Sequence, residues 1–279
     1  MKLIDTKHLG RERVIGAFLV DGALIDCGPS TVHDTLVAGI GDSRPSRLLV
    51  THIHLDHSGG AGKLVERWPD LEVWVHERGA RHLADPSKLV ASAGRLYGEH
   101  MATLWGEIVP VPEANLRVLS GGEAIGDWRV AYTPGHASHH VSYLHEPSGT
   151  AFTGDTAGVR ITPDGPILAP TPPPDIDLEA WPRSMDAIAA WEPSALGITH
   201  FGLYDDPQEH LARLREQLAK QVEWAREARD GDEFAARVRE DLAAQTDPAT
   251  AASYEQGMPP DHLYPGLERA LSRVSSPRT

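Results

Sequence analysis

Between Leu48 and Leu64 the chain reads LLVTHIHLDHSGGAGKL, and three histidines and an aspartate fall within six residues of it. His52 and His54 are two apart. In an extended segment, side chains at i and i+2 face the same way, so both imidazoles can address one point from one side. Asp56 and His57 follow where the chain curls, ahead of a helix predicted to start at Ser58. Gly59 and Gly60 leave the backbone bare there, and the helix N-terminus adds positive potential. Histidine is the commonest metal ligand. This density of nitrogen and oxygen donors at a strand end points to a metal centre.

Six residues cannot close two coordination spheres, so further ligands must come from elsewhere. His136 in YTPGHASHH, Asp155 in AFTGDTAG and His200 in LGITHFG share one character. Each follows an apolar run and precedes small residues, which places it at a strand end. His139 and His140 enter a strand, and alternation sends them to opposite faces. Tyr204 stands four residues after His200, within reach of the same site.

The rest of the chain fits an α/β protein. VIGAFLVDGALIDCG reads as two strands around Asp21-Gly22. STVHDTLVAGIG reads as a helix capped by Ser30 or Thr31. RLLVTHI and LEVWVH read as strands around the helix GGAGKLVERWP. Helices are predicted around 78–84 and 87–108, then a run of short strands over 116–153. Residues 159–175 hold six prolines, which excludes a regular helix or central strand and leaves an ordered loop. The helix LEAWPRSMDAIAAW leads to the strand ALGITH. Helices are predicted over 207–229, 232–245 and 261–274. The tryptophans read as core.

Composition narrows the function. The net charge is −14 with no basic cluster, which argues against a nucleic-acid partner. No stretch approaches the ~20 apolar residues of a membrane helix. The N-terminal segment lacks the apolar core of a signal peptide and reads as a strand, so a cytoplasmic protein is expected. The single cysteine, Cys27, allows no internal disulfide and reads as buried packing. There is no G-x-S-x-G, P-loop or G-x-G-x-x-G.

THIHLDH, followed by TPGH, TGD and ITH, resembles the metallo-β-lactamase superfamily, in the hydrolase branch that includes glyoxalase II and the lactonases. The match covers about residues 1–205. It implies an αββα sandwich with metals at one sheet edge, here with a C-terminal helical extension over 206–279. Carried over position by position, it puts His52, His54 and His136 on one metal. Asp56, His57 and His200 go on the other, with Asp155 bridging and Asp26 supporting the site from behind.

The same resemblance implies two divalent metals, zinc first, with iron or manganese as alternatives. The implied reaction is attack of a metal-bridging hydroxide, oriented by Asp56, on a small-molecule ester, lactone or phosphoester. A glyoxalase II-like thioesterase is the neighbouring alternative. A persulfide dioxygenase with one iron on His52, His136 and Asp155 is the redox alternative. The proline-rich loop and the C-terminal helices are the expected pocket walls, with YEQGMPPDHLYPGLERAL over or beside the site. A small-molecule substrate is the expected partner, and homo-oligomerisation stays open.

Overall fold

A computed structural model describes residues 1–275. Two six-stranded sheets form its middle. The first contains β1 (Lys2–Asp5), β2 (Gly16–Val20), β3 (Ala23–Ile25), β4 (Arg47–Leu49), β5 (Glu72–His76) and β6 (Leu116–Leu119), in sequential order. β1 to β3 pair antiparallel, and β3 to β6 pair parallel. The second contains β7 (Ala124–Ile125), β8 (Trp128–Tyr132), β9 (Val141–His145), β10 (Thr150–Phe152), β11 (Ala195–Ile198) and β12 (Gly202–Tyr204). Here only β10 and β11 run parallel.

Alternation along the strands builds three layers of core. Phe18, Ala23, Ile25, Leu49 and Trp74 face the second sheet and meet Trp128, Tyr143 and Phe152. Leu24, Leu48, Val50, Val73 and Val75 face outward. They are covered by α1 (His33–Ile40), α3 (Ala61–Arg67) and α4 (Glu77–Ala84), with the one-turn α2 (Leu55–Ser58) between. α5 (Ser87–Tyr97) and α6 (Met101–Leu104) follow α4. On the far side, Leu144, Ala151, Leu196 and Ile198 pack under α7 (Ala180–Ala189) and α8 (Pro207–Glu227). The order is therefore helices, sheet, sheet, helices, as the resemblance implied.

α9 (Gly231–Gln245), α10 (Pro248–Gly257) and α11 (Tyr264–Ser275) complete the chain. Phe234, Val238, Leu242, Tyr254 and Leu267 form one cluster with Val159, Ile161 and Leu168 of the proline-rich loop and with Phe201. The Tyr254 hydroxyl donates to Pro166 O and accepts from the Ile161 amide. The C-terminal helices thus hold that loop in place beside His200.

Several local expectations differ. The predicted helix at Ser58 is split: Asp56 and His57 lie on α2, and α3 begins at Ala61 beyond the glycine pair. Ser30 and Thr31 do not cap α1. Their hydroxyls donate to Glu107 O and Leu104 O instead, and a 3-10 turn over Ser30–Val32 precedes the helix. The helix drawn over 87–108 breaks at Gly98, whose φ is +51°, and ends at Leu104. β12 and α10 were not anticipated. No helix among the described residues is long and apolar enough to cross a membrane.

Candidate metal centre

The seven ligand candidates converge beyond the ends of β4, β8, β10 and β11. His52, His54 and His136 form one group, and Asp56, His57 and His200 form another. Asp155 joins His52 and His57 in a third. In each group the donor atoms lie within 4.8 Å of one another. His54 Nδ1 is 3.0 Å from both His52 Nε2 and His136 Nε2. Asp155 stands between the groups. Its Oδ2 is 3.3 Å from His136 Nε2, and its Oδ1 is 3.2 Å from His57 Nε2 and 3.7 Å from His200 Nε2. Asp56 Oδ2 lies 3.2 Å from His200 Nε2.

The far side of three of the five imidazoles is tied down. His136 Nδ1 donates to Pro170 O (2.9 Å), His200 Nδ1 to Val14 O (2.6 Å) and His57 Nδ1 to Asp26 Oδ2 (2.7 Å). In the neutral ring these bonds fix the tautomer, so that Nε2 of His57, His136 and His200 is the atom offered to the site. Asp26 also accepts from the Thr51 amide and from Thr199 Oγ1, so it links the strand before His52 to the strand before His200.

These residues fit metal ions. His57 Nε2 and Asp155 Oδ1 are buried, lie close, and make no hydrogen bond. Buried polar atoms without partners are costly, and a cation between them would satisfy both. The donors are imidazole and carboxylate only, which suits zinc, iron or manganese.

The electrostatics divide the site. Burial pushes the His52 imidazole well below its ordinary range, and His57, His54 and His136 push the same way. His54 is brought to about 4, by burial first and then by His136. Burial opposes the cation of His57, yet Asp155, Asp56 and Asp26 hold it well above the usual value. His200 is raised against burial by Asp155 and Asp56. Burial would raise both carboxyls, but His57 outweighs it, with His200 at Asp56 and His136 at Asp155. Both carboxylates are therefore anionic.

Residues 17–200 match the family model described as the metallo-beta-lactamase superfamily. This chain belongs to that superfamily. Its match to a metallo-beta-lactamase fold-containing protein, ST1585 of Sulfurisphaera tokodaii, is 29% identical over 181 residues, 62% of this chain and 67% of that protein. A hydroxyacylglutathione hydrolase of Xanthomonas euvesicatoria is 28% identical over 158 residues, 56% of this chain and 50% of that enzyme. The crystal structure of ST1585 superposes with a TM-score of 0.68 at 22% identity, covering 92% of this chain and 93% of that one. TTHA1429 of Thermus thermophilus gives 0.63 at 22% identity, covering 94% and 88%.

In this superfamily member a cavity of about 930 Å³ opens over the ligands and is lined by His54, Asp56, His136 and Asp155. His139 also lines it, and its Nδ1 accepts from the Ile53 amide. His140 lies fully buried behind His52, ring centroids 4.9 Å apart and near parallel, with its Nδ1 bonded to Thr133 and Thr156 hydroxyls. Tyr204 is not on the cavity. Its hydroxyl donates to the Arg160 and Phe201 carbonyls, because β12 turns its side chain back into the core. Sequence reasoning missed His8, Tyr97, Trp105 and His262, all of which line the cavity. His8 stacks on Trp105 at 5.7 Å, and Tyr97 meets Trp105 edge-on at 5.0 Å. Their spacing in the chain gave no shared signal. Gln256 to Pro259 reach the cavity from the C-terminal side.

Proposed function

We propose that the chain is a dinuclear metal-dependent hydrolase of small-molecule carboxylic esters, including thioesters and lactones, or of phosphoesters. The observation that carries this is Asp155, which turns one carboxylate oxygen toward each ligand triad. Two divalent cations, zinc first, would lower the pKa of water to near neutrality and polarise the scissile carbonyl or phosphoryl oxygen. His52, His54 and His136 would hold one, and Asp56, His57 and His200 the other.

The chain's own groups then do the rest. Asp56 is the carboxylate ligand with side-chain exposure, 15% against 1% for Asp155. It orients the attacking water by accepting its hydrogen bond. Buried walls around His52 and His57 exclude bulk water, which strengthens every charge interaction there. An acyl substrate is supported by the name of the hydroxyacylglutathione hydrolases among the relatives. A mononuclear iron reading uses only His52, His136 and Asp155. It leaves the convergence of Asp56, His57 and His200 without a task.

The test is Asp56→Ala. Turnover of esters should fall by at least two orders of magnitude while circular dichroism and thermal midpoint stay close to the parent. Parental rates in that variant would refute the assignment.

A further inference from the structure

The cavity has two different walls. One is apolar. α5 turns Leu89, Ala93, Leu96 and Tyr97 toward it, and Trp105 and Met258 extend the same surface. No residue of α5 is fully buried; Leu89, Ala93, Leu96 and Tyr97 are half-buried, and Leu89 also packs against the outer core. A surface helix normally buries its apolar stripe, so an accessible stripe facing a cavity marks a surface kept for a ligand.

The other wall is cationic. Arg78, Arg81 and Lys88 line the same cavity at the start of α5 and on α4. Arg78 sits over the Tyr132 ring at 5.6 Å, and Arg81 Nε donates to His82. Neither contact neutralises a charge, and among the described residues none of the three has a carboxylate at ion-pair distance. Glu77 and Asp175 are the carboxylates on this part of the wall, and Asp175 is held by Ser138 Oγ at 2.5 Å. In a chain of net charge −14, three unpaired cations beside one cavity are a local exception. Eight residues of helix separate Lys88 from Leu96, about 12 Å, so the charges gather at one end of the trough and the apolar surface runs away from them, from Leu89 to Tyr97. Its volume is at the top of the ~300–1,000 Å³ range of small-molecule sites.

Building on the hydrolase reading, we propose that the substrate is an anionic amphiphile: an acyl thioester or ester with an alkyl chain along α5 and a phosphate- or carboxylate-bearing leaving group at Arg78, Arg81 and Lys88. In the reaction, water oxygen bonds to the acyl carbon and the carbon–sulfur or carbon–oxygen bond breaks. The leaving group takes one proton from that water, the other is released to solvent, and a carboxylate and a thiol or alcohol result. The charged rim gains by holding an anionic leaving group, and the apolar wall gains with every methylene buried.

The test separates this inference from the hydrolase reading by using non-hydrolysable thioethers. Binding of S-octyl-coenzyme A, S-methyl-coenzyme A and neutral S-octyl-N-acetylcysteamine to metal-loaded protein is measured by calorimetry. The octyl coenzyme A thioether should bind at least about 30-fold tighter than either control, because each buried methylene adds roughly threefold to fourfold. Arg81→Ser combined with Lys88→Ser should weaken it about tenfold at unchanged metal content. Leu96→Asp should remove the chain-length effect. Equal affinities for the three probes, or no change in these variants, would overturn the proposal. Metal-dependent hydrolysis of phenyl acetate, run in parallel, reports on the hydrolase reading alone. Tight octyl coenzyme A binding with no ester hydrolysed would retain the trough and remove the reaction.

Discussion

The carboxylate of Asp26 accepts the Nδ1 proton of His57 at 2.7 Å, and both side chains are fully buried. Every neighbour of that carboxylate is a donor: the Thr51 amide and hydroxyl, the Thr199 hydroxyl and His57. Asp26→Asn keeps the shape but turns an NH2 toward one of them. The Thr51 amide can only donate, so the amide oxygen must stay there and the NH2 faces His57. His57 must then accept at Nδ1 and carry its proton on Nε2, the atom aimed at the second triad. The expected result is a loss of 10- to 100-fold in metal affinity, concentrated in one of two metals. Element-resolved metal analysis against a graded chelator checks it, and two equally tight metals would contradict it.

Gly154 precedes Asp155 and has φ +44°. A Cβ there would stand 2.5 Å from Thr51 Oγ1 and 2.8 Å from His140 Nε2. Both neighbours are buried against His52, so neither has room to yield. Gly154→Ala adds about 1–2 kcal/mol of left-handed strain to an overpacking cost of about 1–3 kcal/mol. Denaturant titration should show a loss of at least 2 kcal/mol, and metal should leave the variant more readily. A stability within 0.5 kcal/mol of the parent would show that the turn relaxes freely.

The two triads should also respond differently to acid. His57 and His200 are held above their ordinary values in the metal-free protein, so each must lose a proton before it can ligate. His52 and His54 lie below theirs and are already neutral. Lowering the pH from about 8 to about 6 should therefore take the protein from two metals per chain toward one. Metal content after equilibration at each pH, with free metal buffered, is the measurement. Simultaneous loss of both would mean that the triads do not titrate apart.

How much of this was legible depended on the kind of signal. His52, His54, Asp56 and His57 declare themselves because they are adjacent in sequence. His136, Asp155 and His200 are legible because each ends an apolar strand, and a strand end has a fixed address in a sheet. The continuous apolar run Leu48, Leu49 and Val50 reads as a buried strand, though it does not say which sheet faces which. Trp105 reads as core because a large apolar side chain looks alike in sequence whether it meets protein or an open trough, and Tyr97 carries no signal of its own. Tyr204 misled for the opposite reason: its distance along the chain was right, but β12 reverses the chain and turns it inward. β12 itself is only Gly202–Tyr204, too short for any alternation to register.

A second buried histidine supplies a pH effect on folding that is independent of metal. His210 on α8 donates from Nε2 to Ala157 O (2.7 Å), and its Nδ1 accepts from Arg160 Nη1 (3.2 Å). Arg160 is itself paired with Asp206 through two contacts at 2.7 and 2.8 Å, and its amide bonds to His200 O. This network ties the turn carrying Asp155 to the strand end carrying His200. Burial lowers His210 to about 4, although its bond to Ala157 opposes that, and Arg160 adds to the lowering. The unfolded chain takes up the proton near pH 6.5 and the folded chain only near 4. The unfolded state thus binds more protons in that window, so stability is full above about 6.5 and falls as the pH drops toward 4. The loss approaches about 3 kcal/mol if the whole shift is expressed. Gln can donate to Ala157 O and accept from Arg160 without titrating. His210→Gln should therefore match the parent at pH 7.5 and lose less stability by pH 5, as read by urea unfolding of metal-free protein. A parental pH slope in that variant would place the acid sensitivity elsewhere, with the metal-ligand histidines next to be examined.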